Sequence, residues 1–155
     1  MVNRSYPYVL SFCLTHPWAI QREMLAVIAG ILARHVAGEA IDHAALEAAL
    51  VNRKSLPQPK RGAVAIIPVY GVLAPRMNMV SEMSGGATYE KLSAQLREAM
   101  GMDDVKTIVL DIDSPGGSVA GATELAREIL AARAHKPIIA QIQYTGASSA
   151  YWLAA

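Results

Sequence analysis

Hydrophobic and polar positions along the chain follow two different periods, and the change between them divides it. In the first third, Leu25, Ile28 and Leu32 recur three or four apart, with Met24, Val27 and Ile31 widening the stripe. That spacing predicts a helix from about Trp18 to Val36, with Pro17 suited to its first turn. A second, shorter helix is predicted after a capping Asp42, through "HAALEAAL" to about Val51. Such a stripe packs a core or docks a partner, and core packing is the simpler expectation. "NRKSLPQPKRG", with two prolines, four positive charges and no period, reads as an exposed linker.

Beyond the linker the runs become short and β-rich. "AVAIIPVYGVL" predicts a strand whose Pro68 suits an edge or a bulge. Residues 74–87, with three Met, two Gly and one Pro, read as a loop over a site. "TYEKLSAQLREAM" predicts a helix capped by Thr88, with Leu92, Leu96 and Met100 on the face that covers a sheet. "KTIVLDI", "VAGATELAREILAARA" and "PIIAQIQY" then give strand, helix, strand in the spacing of a parallel crossover, and a last helix starts near Ala147. The predicted organisation is a helical arm over 1–51, a linker over 52–62 and an α/β domain over 63–155.

The totals narrow the class. A chain of 155 residues with 53% hydrophobic and 17% charged content supports one main core. A net charge of +1 without a basic block offers no footprint for nucleic acid. The single Cys13 cannot close an internal disulfide and points to a reducing compartment, the cytoplasm. "MLAVIAGILA" is too short to span a bilayer and lacks the order of a signal peptide.

In a parallel α/β sheet, ligands bind beyond the carboxyl ends of the strands. Two loops end there, "DIDSPGGSVAG" and "YTGASSA". Both are rich in Gly and Ser, so the backbone can approach a ligand, and both lead into helices whose first N–H groups lack internal partners; together they could hold an anion or an oxyanion. "IVLDIDS" also fits the strand and D-x-D of haloacid-dehalogenase-like phosphatases, with Asp111 and Asp113 on one side. The Ser-Pro-Gly-Gly that follows, and the absence of a later acidic pair, speak against that metal chemistry. A tight turn fixed by Pro115 and its glycines would explain the first loop alone. A second loop of the same kind one crossover later makes a shared site the better reading.

"DIDSPGGSVAG", a strand and then "GASSAYWLA" resemble the signature of the S49 serine peptidases, which include signal peptide peptidase A and the head-maturation proteases of tailed phages. The resemblance covers about residues 63–155, and "HPWAI" before a long helix looks like the phage capsid branch. It implies a ClpP/crotonase-like fold, usually assembled as homo-oligomeric rings, a polypeptide substrate such as a capsid or scaffold protein, and no cofactor or metal. The expected location is then the host cytoplasm or the prohead. In the family the nucleophile precedes two small residues and two aromatics, a pattern that "SSAYW" fits with Ser148 first. By the same resemblance the N–H groups of Gly117 and Ser149 form the oxyanion hole, and Gly116, Gly117, Ser118 and Val119 pair with an extended substrate. A serine at a helix start gains from the aligned N–H groups as its hydroxyl attacks.

The family's base is a Lys downstream of the serine, kept neutral by burial. This sequence carries Lys54, Lys60, Lys91, Lys106 and Lys136, none after Ser148. Lys54 and Lys60 fall in the solvated linker, Lys106 and Lys136 precede strands and so belong to the far edge of the sheet, and Lys91 is less excluded. Of the histidines, His135 also precedes a strand, and His16, His35 and His43 belong to the arm. The expectation is that the chain stops before its Lys, has little peptidase activity alone and leaves an open sheet edge. The alternatives are a non-catalytic capsid-assembly subunit of the same fold and a crotonase-like acyl-CoA enzyme, which would not need Ser148.

Overall fold

A computed structural model describes residues 11, 13–37, 62–76 and 86–155. The expected second helix, the linker up to residue 61 and most of the Met-rich loop lie outside those residues.

The β-branched runs form a parallel sheet. β2 (Val64–Tyr70), β3 (Thr107–Ser114) and β5 (Ile138–Gly146) pair in the order β2-β3-β5. Pro68 stands in β2, which among the described strands pairs with β3 alone, so its missing N–H falls in an edge strand as the sequence suggested. Strict alternation along β3 buries Ile108, Leu110 and Ile112 on one face. Against that face lie α2 (Tyr89–Gly101), α3 (Ala122–Ala132) and α4 (Ser149–Ala154), which contribute Leu92, Leu96, Leu125, Ile129, Ala150 and Leu153 to the core. Thr88 caps α2 as read from the sequence, its hydroxyl accepting from the Lys91 N–H at 3.2 Å. Glu128 ties α3 to α2 by accepting from Ser93 and from Arg97, the latter at 2.8 Å.

The other face of β3 carries polar cross-links. Asp111 accepts from Tyr70 Oη and from Gln143 Nε2, and Asp113 Oδ1 accepts from the Thr145 N–H. The D-x-D carboxylates therefore bridge β3 to its two neighbours. Ile112 pairs with Ile142 but Ser114 pairs with Gly146, so β5 gains residues relative to β3 at its end. That is the two-strand mismatch of a bulge.

The N-terminal helix begins later than its periodicity suggests. Trp18–Ile20 form a strand, β1, and α1 runs over Arg22–Val36. β1 pairs antiparallel with β4 (Gly116–Ser118), in the register Trp18 to Ser118, Ala19 to Gly117 and Ile20 to Gly116. The reason is tertiary. β4 offers an unpaired backbone edge, and ladder hydrogen bonds there replace the helical ones that Trp18–Ile20 would otherwise make. Pro17 serves this arrangement, because its carbonyl accepts from the Val119 N–H at 3.1 Å while its lack of an N–H costs nothing at a strand start. The expected core role of α1 is limited: Ile28 is buried, while Leu25 and Val27 stay more than one third exposed. No helix among the described residues is long and apolar enough to cross a membrane.

Candidate active site

The sheet brings both glycine-rich loops to its carboxyl edge. Pro115 alone separates β3 from β4, so the chain turns sharply as soon as the sheet ends. Ser114, fully buried, fixes the turn: its hydroxyl donates to the Gly71 carbonyl at 2.6 Å and accepts from the Gly116 N–H at 3.1 Å. On one edge of β4, the Leu73 N–H donates to Gly116 O at 3.0 Å and Leu73 O accepts from the Ser118 N–H at 2.9 Å. The other edge faces β1.

The two glycines of this loop are demanded by space. A β-carbon on Gly117 would stand 1.9 Å from Leu73 O, and Gly116 has φ of +99° with room for no side chain, since Ala19 O would lie at 2.4 Å. Tyr89, at the start of α2, holds the loop from beneath by donating to Ser118 O at 2.6 Å. Burial pushes the Tyr89 hydroxyl up to about 12, against the opposing influence of the neighbouring Ser149 hydroxyl. The Ser149 hydroxyl is itself fully buried and has no hydrogen bond of good geometry. Ser118 is also buried: its hydroxyl accepts from the Ala120 N–H at 3.2 Å, and its own N–H and carbonyl are taken by Leu73 and Tyr89.

Ser148 ends the second loop in an unusual conformation. Its φ of 56° and ψ of −117° make it the one non-glycine residue at positive φ among the described residues. A serine held this way costs of order 1–3 kcal/mol of backbone strain. A sharp strand-to-helix turn of this kind lifts a side chain clear of the backbone around it. Ser148 is correspondingly exposed, whereas Ser149 and Ala150 after it are buried and anchor α4.

The loops touch where chemistry would need them to. The Ala147 N–H donates to Ser114 O at 3.1 Å, and a β-carbon on Gly116 would lie 3.0 Å from Ser148 Cβ. Ser148 therefore packs against the glycine that precedes Gly117. Lys106 and Lys136 sit at the opposite edge of the sheet, as their places before β3 and β5 suggested. Lys106 Nζ donates to Asp103 O at 2.8 Å, and Lys136 Nζ to Ala99 O and Met102 O at 2.9 and 2.7 Å. His135, in the turn before β5, shares that edge.

Three contributors to the site escape sequence reasoning: Tyr89 beneath the loop, Leu73 along one edge of β4 and Trp18–Ile20 along the other. The "HPWAI" string was the available signal for the last, and Tyr89 and Leu73 gave none.

No family model matches the chain. It is 40% identical over 91 residues to Head-tail preconnector protein GP5 of Enterobacteria phage P21, covering 59% of this chain and 18% of that protein. It is 29% identical over 151 residues to Capsid assembly protease C of Escherichia phage lambda, covering 87% of this chain and 34% of the relative. To Protease 4 of Salmonella typhi it is 33% identical over 98 residues, covering 63% and 15%. The chain thus spans about a third or less of each of these relatives. Their names bear out the resemblance to S49-type peptidases of the phage head-maturation kind that the paired loops carry.

Proposed function

We propose that this chain carries the nucleophile and oxyanion hole of an S49-type serine endopeptidase with a ClpP/crotonase-like fold, acting in the cytoplasm or prohead during phage capsid maturation. The observation that supports this most is the strained, exposed Ser148, packed against a loop whose backbone has no room for side chains. Ser148 Oγ attacks the peptide carbonyl and passes its proton to a neutral lysine amine. The N–H groups of Gly117 and Ser149 hold the resulting oxyanion. Collapse expels the amine, which takes the proton back from the lysine, and leaves an acyl-serine that water hydrolyses by the same proton route. The base is read as a lysine other than Lys106 and Lys136, which are engaged at the far edge of the sheet.

Substrates are extended polypeptides that add a strand to the backbone of Gly116–Val119, with capsid or scaffold proteins the class suggested by the relatives' names. The enzyme works as a homo-oligomer and needs no cofactor. A crotonase-like acyl-CoA reaction is less well supported, because it gives no reason for strain at Ser148. The test is peptide cleavage by the whole gene product with Ser148→Ala. Cleavage should fall at least about a thousandfold while the fold is kept. Unchanged cleavage would remove Ser148 from the mechanism, and a wild type without activity would favour a non-catalytic assembly subunit.

A further inference from the structure

The peptide groove beside Ser148 is already filled by the chain itself. Pro17 O accepts from the Val119 N–H at 3.1 Å, and the Gln21 N–H donates to Pro115 O at 3.0 Å. Between those two contacts the antiparallel register sets Ala19 opposite Gly117. Ladder hydrogen bonds alternate, so Ala19 and Gly117 are the pair that exchanges them, with the Gly117 N–H directed to Ala19 O. The point where a Gly116 β-carbon would stand is 2.4 Å from Ala19 O and 3.0 Å from Ser148 Cβ. One carbonyl thus lies between the backbone donor and the serine that the preceding reading gives to the transition state.

Resting on that reading, we infer that Pro17–Gln21 is a tethered occupant of the substrate groove, which keeps the site closed to other peptides until it is displaced. Ala19 takes the position of the residue whose carbonyl is attacked. Three features fit an occupant that can leave. β1 is only three residues long and all three stay partly exposed. The described helix behind it, α1, is mostly exposed, with Ile28 its buried residue. The other edge of β4 is held by Leu73, so the groove keeps its shape without β1. A free peptide competes with a segment held in the same chain, and its apparent affinity falls by the fraction of molecules in which that segment is docked.

The experiment reads binding without turnover. The probe is a fluorescein-labelled peptide of sequence His-Pro-Trp-Ala-Ile-Gln-Arg, titrated by fluorescence anisotropy into the whole gene product carrying Ser148→Ala. The comparison protein also carries Ala19→Pro, which removes the donor that pairs with Gly117 O and breaks the ladder. The proposal expects binding at least tenfold tighter to the Ala19→Pro protein, and amide exchange at Gly117 and Val119 at least tenfold faster there when no peptide is added. Equal binding by the two proteins, or no binding by either, overturns it, as does unchanged exchange at Gly117. Restoring Ser148 separates the two readings: tighter binding with no cleavage leaves the occlusion standing and sinks the peptidase.

Discussion

The loop after β3 is pinned from three directions and built from glycine, whereas the loop after β5 is pinned mainly by β3 and forces a serine into a conformation that glycine takes more easily. The first is held by Leu73, by β1 and by Tyr89, and its contribution to the site is backbone. The second hangs from a strand that pairs, among the described strands, with β3 alone, and its contribution is one exposed side chain. On the proposed function, the contrast fits the two jobs in acyl transfer. Oxyanion donors must not move as charge develops, so they are fixed by surrounding bonds; a nucleophile must be reached and deprotonated, so it is lifted out on a strained turn.

Four changes would break or sharpen that contrast. Ser148→Ala has the largest effect, the loss of about a thousandfold or more in cleavage given above, with thermal unfolding shifted little. Gly117→Ala should be next, because its methyl meets the Leu73 carbonyl at 1.9 Å and the strand must move. An expected loss of about 3 kcal/mol in urea unfolding, with peptide cleavage lost in parallel, would show that the first loop tolerates no displacement. If Gly117→Ala unfolds at the wild-type urea concentration, β4 is not held as described.

Tyr89 gives the third test through pH. Its hydroxyl rises from an ordinary value near 10 to about 12 in the folded protein. The sign follows from the neutral form being favoured on folding. The contribution is complete below pH 10, declines as pH rises from 10 to 12, and amounts to about 2–3 kcal/mol when lost. Tyr89→Phe should cost about 1 kcal/mol at neutral pH and remove that share of the alkaline decline, measured by urea unfolding at pH 8 and 11. An identical alkaline decline in the variant would mean that Tyr89 does not carry it.

The smallest effect has the opposite sign. Ser148→Gly should raise unfolding stability by about 1 kcal/mol by relieving the positive φ, while abolishing cleavage. A destabilised variant would contradict strain at this turn.

How much of this was legible in the sequence follows the range of the forces involved. β2, β3, β5, α2 and α3 were readable because alternation and helical spacing are local and their burial follows from them. Thr88 announced its cap for the same reason. Trp18–Ile20 fit the helical period but form a strand, because three residues become a strand only when a distant edge offers them partners, and nothing local encodes that edge. Tyr89 looked like one more residue at the start of a helix, since its bond to Ser118 depends on how α2 lies under β4. The choice of Ser148 over Ser149 came from the family pattern alone; composition and spacing left both open. Their settings differ: Ser148 is exposed at positive φ, and Ser149 is buried.

The claim that the second loop presents a nucleophile is tested most directly by labelling the whole gene product with a fluorophosphonate and locating the adduct by peptide mass mapping. The account predicts a single adduct on Ser148, absent from Ser148→Ala. An adduct on Ser149 or on another serine, or equal labelling of the Ser148→Ala protein, would contradict it.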